Sequence, residues 1–182
     1  MADPLRVRTR LLLTDYLTFC AREPGDPEPP PTSAEAALLR SVAEQIQQQH
    51  HFFFSSFVGY QGNRVELMTQ MVDAVLPDGQ DLNWGRLVLL LAFAGTIVSQ
   101  EQRNRLKDKM KVLQDCQLIV ALLCNRLLRR HRSWLEAQGG WDGFCVIFGS
   151  PLPLDFWSTL LIKTFLSCVI ATAILFVWKR LL

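Results

Sequence analysis

An apolar stretch over residues 160–182 limits the environments in which this chain can fold. Residues 164–178 carry no charge, and basic residues stand near both ends of the stretch. As a helix it would extend about 34 Å, close to the roughly 30 Å hydrocarbon thickness of a bilayer. Lysine and arginine side chains near the ends of such a helix can reach the interfaces. We therefore predict a membrane anchor over residues 156–182, with a buried core helix as the alternative.

The position of this stretch also predicts how it would enter a membrane. Only four residues follow the uncharged run 164–178, so translation would end while the run is still inside the ribosome, and we expect insertion after translation. The first residues contain only a three-residue apolar run, 11–13, and do not resemble a secretory signal. We expect a single-pass protein whose residues 1–155 form a domain facing the cytosol, where reducing conditions suit the unpaired cysteines.

Prolines divide the rest of the chain into helical intervals. Five of the nine prolines fall within residues 23–32, which is typical of an exposed linker inside a domain. No proline lies between Asp78 and Ser150, and no segment shows the period-two alternation of a half-buried strand. The predicted fold class is therefore all-α.

Start signals locate the individual helices. Asp3, followed by a proline, predicts the start of a first helix that runs to Cys20. Capping sequences at Thr32 and Asn63 predict two more helices, the first of which would continue to Phe57.

The segment 87–98 is uncharged for twelve residues. It is too short for a membrane span and too apolar for a surface helix, so we expect it at the centre of the bundle. An amphipathic stripe over 112–128 predicts another long helix that ends in a run of arginines, and a short helix is predicted over 141–148.

Composition and motifs argue against several classes of function. The net charge is only +2, so the chain lacks the basic field of a nucleic-acid-binding protein. The five cysteines include no C-x-x-C pair, and neither a disulfide framework nor a zinc site is expected. Sequence motifs of serine hydrolases, zinc peptidases and P-loop enzymes are absent. We predict no enzymatic activity, no metal and no other cofactor.

Two strings flank the long helices. Asn83-Trp84-Gly85-Arg86 opens the apolar segment, which continues into Phe93-Ala94-Gly95, and residues 134–144 read W-x-x-x-x-G-G-W-x-x-F. In these strings the chain resembles the Bcl-2 family of apoptosis regulators, whose first and second homology motifs have this form and order. Residues 39–46 resemble the third motif, with alanine and glutamate in place of the family's glycine and aspartate, and residues 5–20 resemble the fourth.

The resemblance implies a Bcl-2-like helical bundle around a central hairpin, with residues 87–98 and 112–128 joined by a polar turn. Such a bundle presents a hydrophobic groove that accepts an amphipathic helix. Arg86 would pair with an aspartate of the death-ligand helix, Asn83 would cap the central helix, and Gly85 would let the ligand backbone approach. The apolar residues that the resemblance assigns to the groove are Ile46, Phe54, Phe57, Met71, Val75, Leu89, Phe93 and, at one end, Phe148.

The function implied is that of a tail-anchored regulator that promotes survival by holding death-ligand helices, or the exposed helix of Bax-like effectors, in this groove. The expected partners are pro-apoptotic relatives, in a homo- or heterodimer, and an intracellular membrane. That membrane would be the mitochondrial outer membrane or the endoplasmic reticulum, with some protein in the cytosol. Two alternatives stay open: a pore-forming death effector of the same fold, and a membrane tether without groove activity.

Overall fold

A computed structural model describes residues 3–77, 82–99 and 106–149. Within these ranges the regular secondary structure is entirely helical, which confirms the all-α class. None of the helices in these ranges is both long enough and apolar enough to cross a bilayer. The anchor predicted over residues 156–182 lies outside the described residues. The helices are α1 (Pro4–Cys20), α2 (Ala34–Gln49), α3 (His51–Ser55), α4 (Arg64–Val75), α5 (Trp84–Val98), α6 (Leu106–Arg130), α7 (Arg132–Ala137) and α8 (Gly140–Phe148).

Helix α5 is the centre of the bundle, as its uncharged sequence predicts. Asn83 caps it, because the side-chain oxygen accepts a hydrogen bond of 2.9 Å from the backbone N–H of Arg86. Every residue from Leu87 to Val98 is buried. Five helices pack against it: α1, α2, α3, α4 and α6. Together they remove its apolar side chains from water on all sides, which one neighbouring helix could not do.

Helix α2 departs from the sequence prediction at both ends. Its N-cap is Ser33, whose hydroxyl accepts from the N–H of Ala36 at 3.1 Å, whereas the N–H of Thr32 donates to a carboxylate of α1. The helix ends at His50 and does not continue to Phe57, so the prediction of one unbroken helix was wrong. The break lets the phenylalanine-rich segment that follows turn onto α5.

Helix α1 runs antiparallel to α6. Near one end the thiol of Cys116 lies 3.9 Å from the carbonyl oxygen of Leu17. At the other end Arg132, just beyond α6, pairs with Asp3 at 2.5 Å. Helix α6 begins at Leu106, so part of the segment predicted as a polar turn is helical.

A buried arginine joins α4 to the hairpin formed by α5 and α6. Arg64 is 4% exposed, and its Nε donates to the carbonyl of Ile97 at 2.8 Å. Its Nη1 donates to Asp115 of α6 at 3.2 Å. The guanidinium thus donates to one of the last carbonyls of α5, at the negative end of the helix dipole. Through Asp115 the same side chain links this end of α5 to α6.

Candidate helix-binding groove

The first turn of α5 is where the central helix reaches the surface. Asn83, Gly85 and Arg86 are half-buried, while Trp84 between them is buried. Beyond Leu87 the helix has no exposed position. The three polar or small residues that the sequence assigned to ligand contact therefore lie together at the partly exposed end of α5.

An aromatic cluster holds α7 and α8 against this end of α5. The ring of Trp84 lies 5.0 Å from Trp134, 6.2 Å from Trp141 and 5.6 Å from Phe144, centroid to centroid. Phe148, the last residue of α8, is half-buried and 4.8 Å from Phe144. The two sequence strings that carried the family resemblance are thus in direct contact, and Phe148 lies at the outer edge of their cluster.

A second aromatic cluster lies further along α5. The ring of Phe57 meets the buried ring of Phe93 edge-on at 5.0 Å. Phe53, which the sequence analysis did not select, lies 5.3 Å from Phe57 and 6.2 Å from Phe93. Its four-residue spacing from Phe57 was the available signal, because residues at this spacing share a helix face.

Phe54 turns toward a different part of the molecule. It is 3% exposed and lines a cleft of about 720 Å³ together with Tyr16, His51 and Gly95. This cleft lies between α1, the linker, α2, α3 and the end of α5. The ring centroids of Phe54 and Phe53 are 5.1 Å apart. Phe54 lines this cleft, whereas Phe57 packs on Phe93.

The remaining apolar residues assigned to the groove are deeply buried. Ile46 of α2 is 4% exposed, Met71 and Val75 of α4 are 7% and 1% exposed, and Leu89 of α5 is 3% exposed. All four belong to the continuous hydrophobic core. At this depth they can contribute the floor of a groove but not its walls.

The third homology motif is folded into the protein's own core. Leu39 and Ala43 are fully buried, whereas Glu44 is exposed and accepts a hydrogen bond from Gln48 at 3.2 Å. Helix α2 packs against α5, α1 and α8 with its apolar face. To act as a ligand for another protein, this helix would have to leave the core.

The cysteines and carboxylates of the described residues bear on two kinds of reactive centre, a metal site and a nucleophilic thiol. Across residues 3–77, 82–99 and 106–149 no three His, Cys, Asp or Glu side chains converge as a metal site would require. Burial raises the pKa of the Cys20 and Cys116 thiols to about 12. Protonated thiols are poor nucleophiles, so neither cysteine is suited to catalysis at neutral pH.

Comparison with known proteins agrees with this geometry. Residues 39–141 match the model of the family described as apoptosis regulator proteins, Bcl-2 family. The chain is 60% identical over 185 residues to rat Bcl-2-like protein 10, and the match covers all of both chains.

Two solved structures share the fold. The solution structure of a divergent Bcl-2 protein is 58% identical, with a TM-score of 0.70, and the match covers 84% of this chain and 94% of the other. The zebrafish pro-survival protein NRZ, crystallised in complex with the Bad BH3 segment, is 28% identical with a TM-score of 0.63. That match covers 79% of this chain and 94% of NRZ.

Proposed function

The chain belongs to the Bcl-2 family of apoptosis regulators, and from this premise we propose that it is a tail-anchored, survival-promoting member that binds amphipathic death helices of pro-apoptotic relatives. The observation that carries the proposal is the partly exposed first turn of α5, which adjoins one aromatic cluster, with a second cluster further along the helix. Arg86 lies in this turn, and Phe148 at the end of α8 contacts Phe144 of the first cluster. Phe57, which follows α3, packs on Phe93 further along α5.

This arrangement provides what an amphipathic helix needs from its receptor. The apolar face of the ligand would pack on the half-buried rings of Phe53 and Phe57 and on the core beneath them. The guanidinium of Arg86 would pair with the ligand's aspartate through its planar fork. Met71 at the floor would add a flexible, polarizable side chain that adapts to more than one ligand.

The survival-promoting direction is supported by a relative. NRZ is a pro-survival protein, and it was crystallised with the Bad BH3 segment. If this chain binds as NRZ does, its partners are death-ligand helices and the corresponding helix of Bax-like effectors, each bound in a heterodimer. The action is binding and sequestration, which requires neither catalysis nor a cofactor.

We assign the membrane part of the function to residues 156–182. The uncharged run 164–178, with basic residues on both sides, is the sequence pattern of a single span. Residues 1–155 would then face the cytosol from the mitochondrial outer membrane or the endoplasmic reticulum.

Titration of the full chain in nanodiscs with a fluorescent death-helix peptide tests the proposal. We expect saturable binding below micromolar concentration, and weaker binding to Phe57→Ala, because that ring forms part of the predicted ligand surface. Met110→Ala is the matched control, because Met110 is an exposed apolar residue of α6 that is not among the groove residues. If no binding is seen at micromolar peptide concentration, the result would favour the alternative of a membrane tether without groove activity.

A pore-forming effector of the same fold is the second candidate, and the apolar character of α5 favours it. In such an effector the hairpin of residues 87–98 and 112–128 would enter the bilayer once it left the bundle, and the first of these segments carries no charge over twelve residues. Dye release from anionic liposomes after addition of an activating death-helix peptide separates the two functions. Strong release at low protein concentration would support the effector, whereas protection against release by Bax-like proteins would support the survival role.

A further inference from the structure

The antiparallel helices α1 and α6 form one continuous outer surface. Their pairing is fixed at one end by Cys116 and Leu17 and at the other by Arg132 and Asp3. We call this surface the α1–α6 face. The exposed side chains that define it are Arg6, Val7, Arg10, Leu11, Leu118 and Arg129.

The exposed part of the α1–α6 face is basic, because Asp15 of α1 and Asp115 of α6 are paired with the buried arginines Arg40 and Arg64. Residues 4–14 and 116–135 hold seven arginines without a single aspartate or glutamate. Some of these arginines are held by carboxylates from neighbouring segments, as Arg8 is by Asp142 and Arg126 is by Asp73.

Three exposed arginines of the face differ from Arg8 and Arg126 in their pairing. Within the described part of the chain, Arg6, Arg10 and Arg129 have no ion-pair partner. Arg6 and Arg10 lie close enough to α6 for their charges to act on the thiol of Cys124. Since Arg129 follows Cys124 by little more than one helical turn, the three cations belong to one region of the surface.

Apolar side chains are interspersed with these cations. Leu11 is 65% exposed, Leu118 49% and Val7 44%. Exposed apolar and basic side chains on one face are the combination found in helices that lie in the interface of an anionic membrane. A lipid surface would satisfy both kinds of side chain, because the anionic headgroups attract the arginines and the acyl boundary accepts the apolar side chains.

We propose that the α1–α6 face lies against the anionic headgroups of the membrane that holds the chain. The inference rests on the proposed anchoring by residues 156–182, which begin only eight residues after Phe148 at the end of α8. A short connection keeps the helical domain at the bilayer surface. Each exposed basic residue near such a surface favours contact by about fivefold, so three arginines are enough to select one orientation.

The test uses the full chain reconstituted in vesicles, with an environment-sensitive fluorophore on Thr14→Cys in a Cys145→Ser/Cys168→Ser background. Thr14 is exposed on α1 beside the face. The remaining native thiols, Cys20, Cys116 and Cys124, react slowly because desolvation raises the pKa of each and keeps it protonated. Nitroxide-labelled lipid quenches the fluorophore only when α1 approaches the bilayer. We expect at least threefold stronger quenching in phosphatidylserine-containing vesicles than in pure phosphatidylcholine, and loss of the difference at high salt.

Matched variants identify the cause. Arg6→Gln/Arg10→Gln/Arg129→Gln should reduce quenching to the level in neutral vesicles, whereas Lys111→Gln, which removes an exposed cation elsewhere on α6, should not. A label on Gln70→Cys of α4, also exposed, should stay unquenched in both vesicles. Equal quenching in the two lipids, or no effect of the triple variant, would overturn the proposal.

Vesicle flotation separates this result from the proposed function. If the protein floats with the vesicles but is quenched equally in anionic and neutral lipid, it is anchored and its α1–α6 face does not contact the headgroups through its charges. Protein that does not float at all contradicts the anchor itself, and the inference about the face falls with it.

Discussion

Arg40 of α2 forms a buried ion pair with Asp15 of α1. Its Nη2 and Nε lie 2.9 Å and 3.1 Å from the same carboxylate oxygen, and the two side chains are 8% and 4% exposed. The remaining nitrogen donates to the carbonyl of Pro29 in the linker at 2.7 Å, and the guanidinium lies 4.2 Å from the centre of the Phe19 ring. One side chain inside the third homology motif thus fastens α2 to α1 and to the linker.

Replacement of Arg40 by Met should destabilise the fold strongly. The buried carboxylate of Asp15 would lose its cation, and removal of one member of a buried pair typically costs about 3–5 kcal/mol. Urea unfolding followed by circular dichroism measures the loss. Asp73→Asn provides the control, because Asp73 pairs with Arg126 at the surface, is 62% exposed and should contribute less than about 1 kcal/mol.

A double variant tests whether the two charges act as a pair. Arg40→Met with Asp15→Leu should be more stable than the sum of the two single losses predicts, because neither charge is then left alone in the core. Strict additivity would mean that Arg40 stabilises the fold through Pro29 and Phe19 and not through Asp15.

Gly95 and Tyr16 determine how closely α1 approaches α5. A Cβ added at Gly95 would overlap the Tyr16 hydroxyl and lie 2.8 Å from the sulfur of Cys20. Overpacking of this kind costs about 1–3 kcal/mol and outweighs the roughly 1 kcal/mol that alanine gains over glycine in a helix. Gly95→Ala should therefore lower the free energy of unfolding, by up to about 2 kcal/mol in a denaturant titration.

Tyr16→Phe should rescue part of that loss. Among the described residues the buried hydroxyl of Tyr16 has no hydrogen-bond partner, so its removal alone should change stability by less than about 1 kcal/mol, in either direction. In the Gly95→Ala background it removes the overlapping atom. Tyr60→Phe is the matched control and should rescue nothing; equal rescue by both would show that the two helices adjust without this contact.

The sequence was most informative where a local signal decides the structure. Asn63 and Asn83 cap the helices that they were predicted to cap, because a cap depends on residues three positions apart. The twelve uncharged residues of 87–98 could only be placed at the centre of a bundle. Asn83, Gly85 and Arg86 were expected to lie together because they share one helical turn, and they do.

The long-range contacts were not predictable in the same way. Nothing in the local sequence of Arg40 or Arg64 distinguishes a buried arginine from a solvated one, since their partners lie 25 and 51 residues away. The directions of Phe53 and Phe54 depend on the break at His50, which results from packing on α5 and not from a glycine or a proline.

Thiol reactivity should follow burial. With a pKa of about 12, Cys20 and Cys116 carry about a thousandfold less thiolate at pH 8 than a thiol of ordinary pKa near 9. Alkylation of the native protein, read by peptide mass spectrometry, should leave both residues largely unmodified, and modification should rise steeply after unfolding in guanidinium. Rapid native alkylation of either would show that α1 separates from the core on the timescale of labelling.

Arg86 and the aspartate of a death-ligand helix should behave as a coupled pair. Arg86 is half-buried at the start of α5, so water reaches its surroundings and the effect should lie near the low end of the 2–5 kcal/mol typical of truncated interfacial charge pairs. Arg86→Ala should weaken peptide binding by about tenfold or more, with the helical circular-dichroism signal unchanged, and Arg86→Lys should recover only part of the affinity, because a point charge lacks the planar fork.

A peptide with its aspartate changed to alanine should bind the wild-type chain poorly and lose little further affinity on Arg86→Ala. Two losses that simply add would mean that these charges are not partners, and the ligand would then have to lie elsewhere on the bundle.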